Sequence, residues 1–110
     1  MCVCAGNTLV TTSGDNTARV WCSRDWSHLH ILTGHTNDVS SCVFAPDGST
    51  LVTTSRDNTV RVWCTWDWSK VQTLTGHTDS VRSCAFAPNG GTLVTTSLDG
   101  TIRVWSDDQI

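Results

Sequence analysis

Glutamate and tyrosine are absent from this chain of 110 residues, lysine occurs once and proline twice. All ten acidic side chains are therefore aspartate. Aspartate and the abundant threonine and serine compete poorly in helix interiors and favour turns and strands, which argues against an α-helical enzyme core. Basic charge is also scarce. Seven Lys and Arg against ten acids leave a net charge of −3, so neither a nucleic-acid partner nor an anionic membrane surface is expected. No stretch approaches the roughly 18 apolar residues of a spanning helix. The first residues, Met1-Cys2-Val3-Cys4-Ala5-Gly6, carry neither a basic region nor a long apolar core, and no signal peptide is expected. With 38% hydrophobic and 15% charged residues, the composition is that of one small folded domain.

What the chain does have is a repeat. Leu9-Val10-Thr11-Thr12-Ser13 returns at Leu51–Ser55 and again at Leu93–Ser97, a step of 42 residues without insertion. Trp21, Trp63 and Trp105 keep this step, as do Asp15, Asp57 and Asp99. Gly34-His35-Thr36 matches Gly76-His77-Thr78, Cys22 matches Cys64, and Cys42 matches Cys84. Each unit reads as four short strands. Val39–Phe44 is an apolar-rich run stopped by the turn Pro46-Asp47-Gly48. Leu51–Ser55 and Thr59–Trp63 are β-branched and joined by a tight connection at Arg56-Asp57-Asn58, so they read as a hairpin. Val71–Leu74 supplies the fourth strand, and no segment keeps a 3.6-residue period.

Six cysteines invite a disulfide or metal reading. No C-x-x-C or H-x-x-x-H occurs, and Cys2-Val3-Cys4 is too tight and too isolated for a zinc site, so no metal and no cofactor is expected. In the first strand Cys42 and Cys84 read as small buried hydrophobes. Unbridged thiols fit a reducing compartment, and an intracellular, cytoplasmic location is the expectation.

The recurring Gly-His pair, the four-strand spacing and Asp-x-Thr-x-Arg-Val-Trp closing each unit resemble the WD-repeat β-propeller family over about residues 5–106. One departure stands out: the Asp that usually follows the Trp is Cys22, Cys64 or Ser106 here. The resemblance implies an all-β fold, an open arc of three antiparallel propeller blades. The first blade, 1–34, is expected to be truncated at its N-terminal strand, Met1–Cys4. Residues 35–76 make a complete blade, and 77–110 a third blade lacking its outer strand. Together they amount to about 2.6 repeats, and a propeller needs typically four to eight blades. Self-association, or pairing with the rest of a longer parent chain, follows as an expectation. The candidates for uncovered side chains are Leu9, Val10 and Val20 at one end. At the other end they are Phe86, Leu93, Val94, Ile102 and Val104, on whichever side of their sheets faces outward.

Taken alone, His35, a nearby hydroxyl and Asp57 suggest a hydrolytic triad. The resemblance implies instead a structural hydrogen-bonded network copied into each repeat: His35, Thr53, Asp57 and Trp63, then His77, Thr95, Asp99 and Trp105. The first unit supplies Thr11, Asp15 and Trp21, with its histidine falling before Met1. A catalytic site is rarely copied into every repeat, and no enzyme is expected. The functional signal lies where the repeats disagree. The residue before the hairpin Asp is Gly14, Arg56 or Leu98, and Asn37, Asp38 and Ser40 become Asp79, Ser80 and Arg82. In the family these positions resemble the loop face that carries partner contacts. The expected function is a non-enzymatic scaffold for protein or peptide partners, with a self-assembling repeat as the alternative. Trp26 and Trp68 repeat within Asp-Trp-Ser, Trp66 is extra, and all three are expected in the connection between third and fourth strands, packed over their own blade or anchoring a partner.

Overall fold

The structure, a computed structural model, describes residues 2–5 and 8–110, the first of these segments by its backbone alone. Met1, part of the expected first strand, and the side chains of Cys2 and Cys4 lie outside the described residues. Three antiparallel sheets follow one another along the chain. The first holds β1 (Cys2–Ala5), β2 (Thr8–Thr12), β3 (Ala18–Cys22) and β4 (His28–Leu32), and the second β5 (Val39–Phe44), β6 (Thr50–Ser55), β7 (Val60–Cys64) and β8 (Lys70–Leu74). The third holds β9 (Val81–Phe86), β10 (Thr92–Ser97) and β11 (Ile102–Ser106), with a short 3-10 turn at Asp107–Gln109. Within each sheet the strands pair in chain order, as a meander. Among the described residues no helix is long and apolar enough to cross a membrane.

Local chemistry sets the strand ends. The Ala45–Gly48 turn closes with the Gly48 N–H on the Ala45 carbonyl at 2.9 Å, and Gly48 takes φ +75°, a backbone region that glycine enters without steric cost. At the next hairpin Thr59 falls just outside β7, where the sequence places it inside. Its N–H and hydroxyl both donate to Asp57 Oδ1, which holds it in the turn rather than the ladder.

Packing follows the repeat. Val10, Ala18, Val20 and Leu32 of the first sheet bury against Cys42, Leu51 and Trp63 of the second. Their equivalents 42 residues on, Val52, Val60, Val62 and Leu74, bury against Val81, Leu93 and Trp105 of the third. Alternate residues of β6 therefore face different neighbours, and Leu51 through Ser55 are all buried. The strands β1, β5 and β9 lie side by side, and the sheets form an open arrangement, not a closed ring.

The same geometry decides which apolar side chains stay uncovered. Val10, Val20 and Leu93 are fully buried because they face a neighbouring sheet, while Ile102 and Val104 are 68% and 65% exposed on the far side of the third. Trp63 and Trp105 are buried, and Trp21 is only half-buried. Trp63 is covered by the first sheet, whereas among the described residues no sheet lies against Trp21 on the equivalent side.

Candidate functional site

The repeated polar residues converge between β6, β7 and the Gly-His loop. Register places Leu51 opposite Trp63 and Thr53 two residues further in, so the Trp63 indole reaches back along its own sheet. Its Nε1–H donates to Thr53 Oγ1 at 2.9 Å. Thr53 Oγ1 lies 2.8 Å from His35 Nε2, and His35 Nδ1 lies 2.8 Å from Asp57 Oδ2. One proton arrangement satisfies every group. The indole donates to the hydroxyl, the hydroxyl to Nε2, and Nδ1–H to the carboxylate, with His35 neutral. The third sheet repeats this chain, with Trp105 to Thr95 at 3.0 Å, Thr95 to His77 at 2.8 Å and His77 to Asp99 at 3.0 Å.

Electrostatics agree with that arrangement. Burial lowers the His35 pKa from its ordinary 6.5 and the charge of Arg61 adds to this, outweighing the hydrogen bond and charge of Asp57. Burial alone would raise the Asp57 pKa. Hydrogen bonds from the Thr59 hydroxyl, His35 and the Thr36 and Thr59 amides more than offset it, and the carboxyl sits below its ordinary 3.8. The side chain of Asp57 is 5% exposed; Asp15, whose unit has no histidine in the chain, is 49% exposed and pairs with Arg19 at 3.6 Å. In that first unit the link from Trp21 Nε1 to Thr11 Oγ1 remains, at 3.0 Å. Thr53 and Thr95 are sealed from solvent, so neither hydroxyl is open to a substrate. No group of three or more His, Cys or Asp is arranged to hold a metal among the described residues.

Sequence reasoning missed the role of Arg61 and Arg103. A Cβ on Gly34, at φ +129°, would lie 2.5 Å from Arg61 Nη1, so the glycine admits the guanidinium. At the equivalent place Arg103 Nη2 donates to the Gly76 carbonyl at 2.9 Å. The invariant spacing of Gly-His and Arg-Val-Trp was the available signal. Also missed was the backbone of Trp26 and Trp68, both at φ +59°. Trp68 packs on the core between the first two sheets and near His30, whereas Trp26 and Trp66 are 63% and 89% exposed.

The variable positions gather on one end of the sheets. The Arg56 N–H donates to the Asp38 carbonyl at 2.9 Å, and at the equivalent place the Leu98 N–H donates to the Ser80 carbonyl at 2.9 Å. Each hairpin turn is thus strapped to the loop leading into its own inner strand. Gly14, Asp38, Ser40, Arg56 and Arg82 line one cleft of about 340 Å³ with Thr12, Ser13 and Val39. Asn37, Asp79, Ser80 and Leu98 do not line it. Asn37 and Asp79 accept the N–H of Asp38 and Ser80 through their side chains, at 2.8 and 2.7 Å, and Leu98 is exposed.

Comparison with known proteins agrees with this architecture. The family described as WD domain, G-beta repeat matches residues 1–22, 26–64 and 68–106. A stretch of 40 residues, 36% of the chain, is 45% identical to ribosome assembly protein 4 of Saccharomyces cerevisiae and spans 8% of that protein's length.

Proposed function

The chain belongs to the WD-repeat family, whose repeats generally mediate protein–protein interaction or scaffolding, and on that premise we propose that it is a non-enzymatic binding scaffold for protein or peptide partners. The units 1–34, 35–76 and 77–110 act as its modules. The hydrogen-bonded networks hold the second and third modules rigid, and the variable loop face carries the contacts. The observation that carries this reading is the placement of differences between repeats. Gly14, Arg56 and Arg82 stand where neighbouring positions recur unchanged, yet they meet at one cleft. A constant frame with one variable face is what recognition by loops requires. Burial of the Cys84 thiol, aided by the nearby Cys42, pushes its pKa up to about 12, and such an inert thiol suits the intracellular, cytoplasmic location we assign.

The test is selection of random peptides displayed on phage against the immobilised chain. Selected peptides should lose binding to the double variant Arg56→Gly plus Arg82→Ser, which copies residues already present at Gly14 and Ser40. Peptides that keep binding to it and instead lose binding to Trp66→Ala, at an exposed side chain, would move the site to the opposite end and overturn this reading.

A second reading, a repeat that completes a propeller with other copies or with a longer parent chain, is favoured by Ile102 and Val104. Their equivalents Val60 and Val62 are buried under the third sheet, so the uncovered pair matches a surface that another blade covers. Light scattering that finds only monomer at high micromolar concentration would count against it.

A further inference from the structure

We propose that the cleft beside β5 takes an acidic peptide segment, with one Asp or Glu carboxylate seated between the guanidinium groups of Arg56 and Arg82. The proposal rests on the reading that the variable loop face carries partner contacts, and it names the chemistry of the partner. Its first support is convergence. Arg56 comes from the hairpin after β6 and Arg82 from β9, on different sheets, yet both line the same cleft. Neither belongs to the repeat: the equivalents of Arg56 are Gly14 and Leu98, and that of Arg82 is Ser40.

Charge gives the second support. The chain carries a net −3, but the lining of this cleft holds two arginines against Asp38 alone, an inversion of sign in one place. Asp38 does not use up that charge. Its pairing with Arg56 is 3.9 Å long between side chains 41% and 61% exposed, a solvent-screened contact of little strength. Arg82 makes no ion pair among the described residues. Each guanidinium offers five N–H donors in a planar fork that matches a carboxylate.

Space completes the fit. Gly14 lines the cleft without a side chain; a Cβ there would meet nothing closer than Asp38 Oδ1 at 3.8 Å. Ser13 is committed within its own turn, its Oγ accepting the Asp15 N–H at 3.2 Å and its hydroxyl donating to the Asp15 carboxylate. Ser40 is committed, donating to the Val81 carbonyl at 2.6 Å, and it fixes β5 against β9 beneath the cleft. Two arginines beside one aspartate balance a singly charged carboxylate better than a doubly charged phosphate.

The experiment is an NMR titration of the ¹⁵N-labelled full chain with three acetylated, amidated octapeptides. One is Gly-Ser-Asp-Glu-Glu-Asp-Ser-Gly, the second replaces its acids by Asn and Gln, and the third replaces them by phosphoserine. The acidic peptide should shift the amides of Gly14, Ser40, Arg56 and Arg82 and bind about tenfold more tightly than the amide version at low salt. That preference should vanish in Arg56→Gln plus Arg82→Gln, and Gly14→Leu should block binding with both charges intact. Equal binding of acidic and amide peptides at these same residues overturns the charge proposal and leaves the loop-face reading standing. Binding by the phosphoserine version alone overturns the carboxylate assignment. Shifts confined to residues elsewhere overturn both.

Discussion

The Thr53 hydroxyl satisfies both the Trp63 indole and His35 Nε2, and Asp57 fixes the imidazole through Nδ1. Losing a buried partner costs about 1–3 kcal/mol, because the group left behind keeps its desolvation penalty. Asp57→Ala should therefore destabilise the chain by about that much more than Asp47→Ala. Asp47 sits in an exposed turn and accepts from the Ser49 N–H and hydroxyl, at 2.9 and 2.7 Å. Equal urea midpoints for the two variants would contradict the network. The same residues set a pH dependence. His35 is lowered from 6.5, so the folded chain binds fewer protons than the unfolded one below that pH. Its contribution is complete above about pH 6.5 and is lost as pH falls toward its folded value. Asp57, lowered from 3.8, acts in the same direction further into acid. The Asp99 carboxyl is held well below the usual range, first by the Thr101 hydroxyl, and adds to this. Urea midpoints should rise from pH 4 to pH 7.5, and a flat or falling profile would remove the neutral-imidazole assignment.

At the scale of strands and turns, most of the fold was legible because two periods coincide. A two-residue alternation within strands and a 42-residue step between units place β5, β6 and β7 to within a residue. Alternation does not say which neighbour a face meets, so Val10 and Val20 were readable as apolar but not as the side turned toward the second sheet. The cleft was not legible either, since Gly14, Arg56 and Arg82 meet only when the sheets pack. Nor does pattern reveal Trp26 and Trp68 in the left-handed region, where a bulky residue is unexpected. These two turns give a paired prediction. Glycine relieves strain of about 1 kcal/mol at either position. Trp26 is largely exposed, whereas Trp68 packs on the core between the first two sheets. Trp26→Gly should leave thermal stability unchanged or raised, and Trp68→Gly should lower it. Equal losses in both would show that the turn geometry carries no strain.

Over the whole molecule, one interface is built twice: the valine face of one sheet against the leucine and tryptophan face of the next. Repeats that stack in this way hold their shape through neighbour contacts, so stability is shared among constant residues. Loop residues at one end are then free to differ, as Gly14, Arg56 and Leu98 do. This separation of frame from face is the central claim, and one measurement tests it most directly: urea unfolding of two variants beside the parent chain. Thr53→Val leaves Trp63 Nε1–H and His35 Nε2 without partners and should lower the midpoint clearly, by the equivalent of about 1–3 kcal/mol. Arg56→Gly plus Arg82→Ser should unfold within about 0.5 kcal/mol of the parent, as exposed substitutions do. A loop-face variant that falls as far as Thr53→Val would show that frame and face are one structure, and would contradict the account.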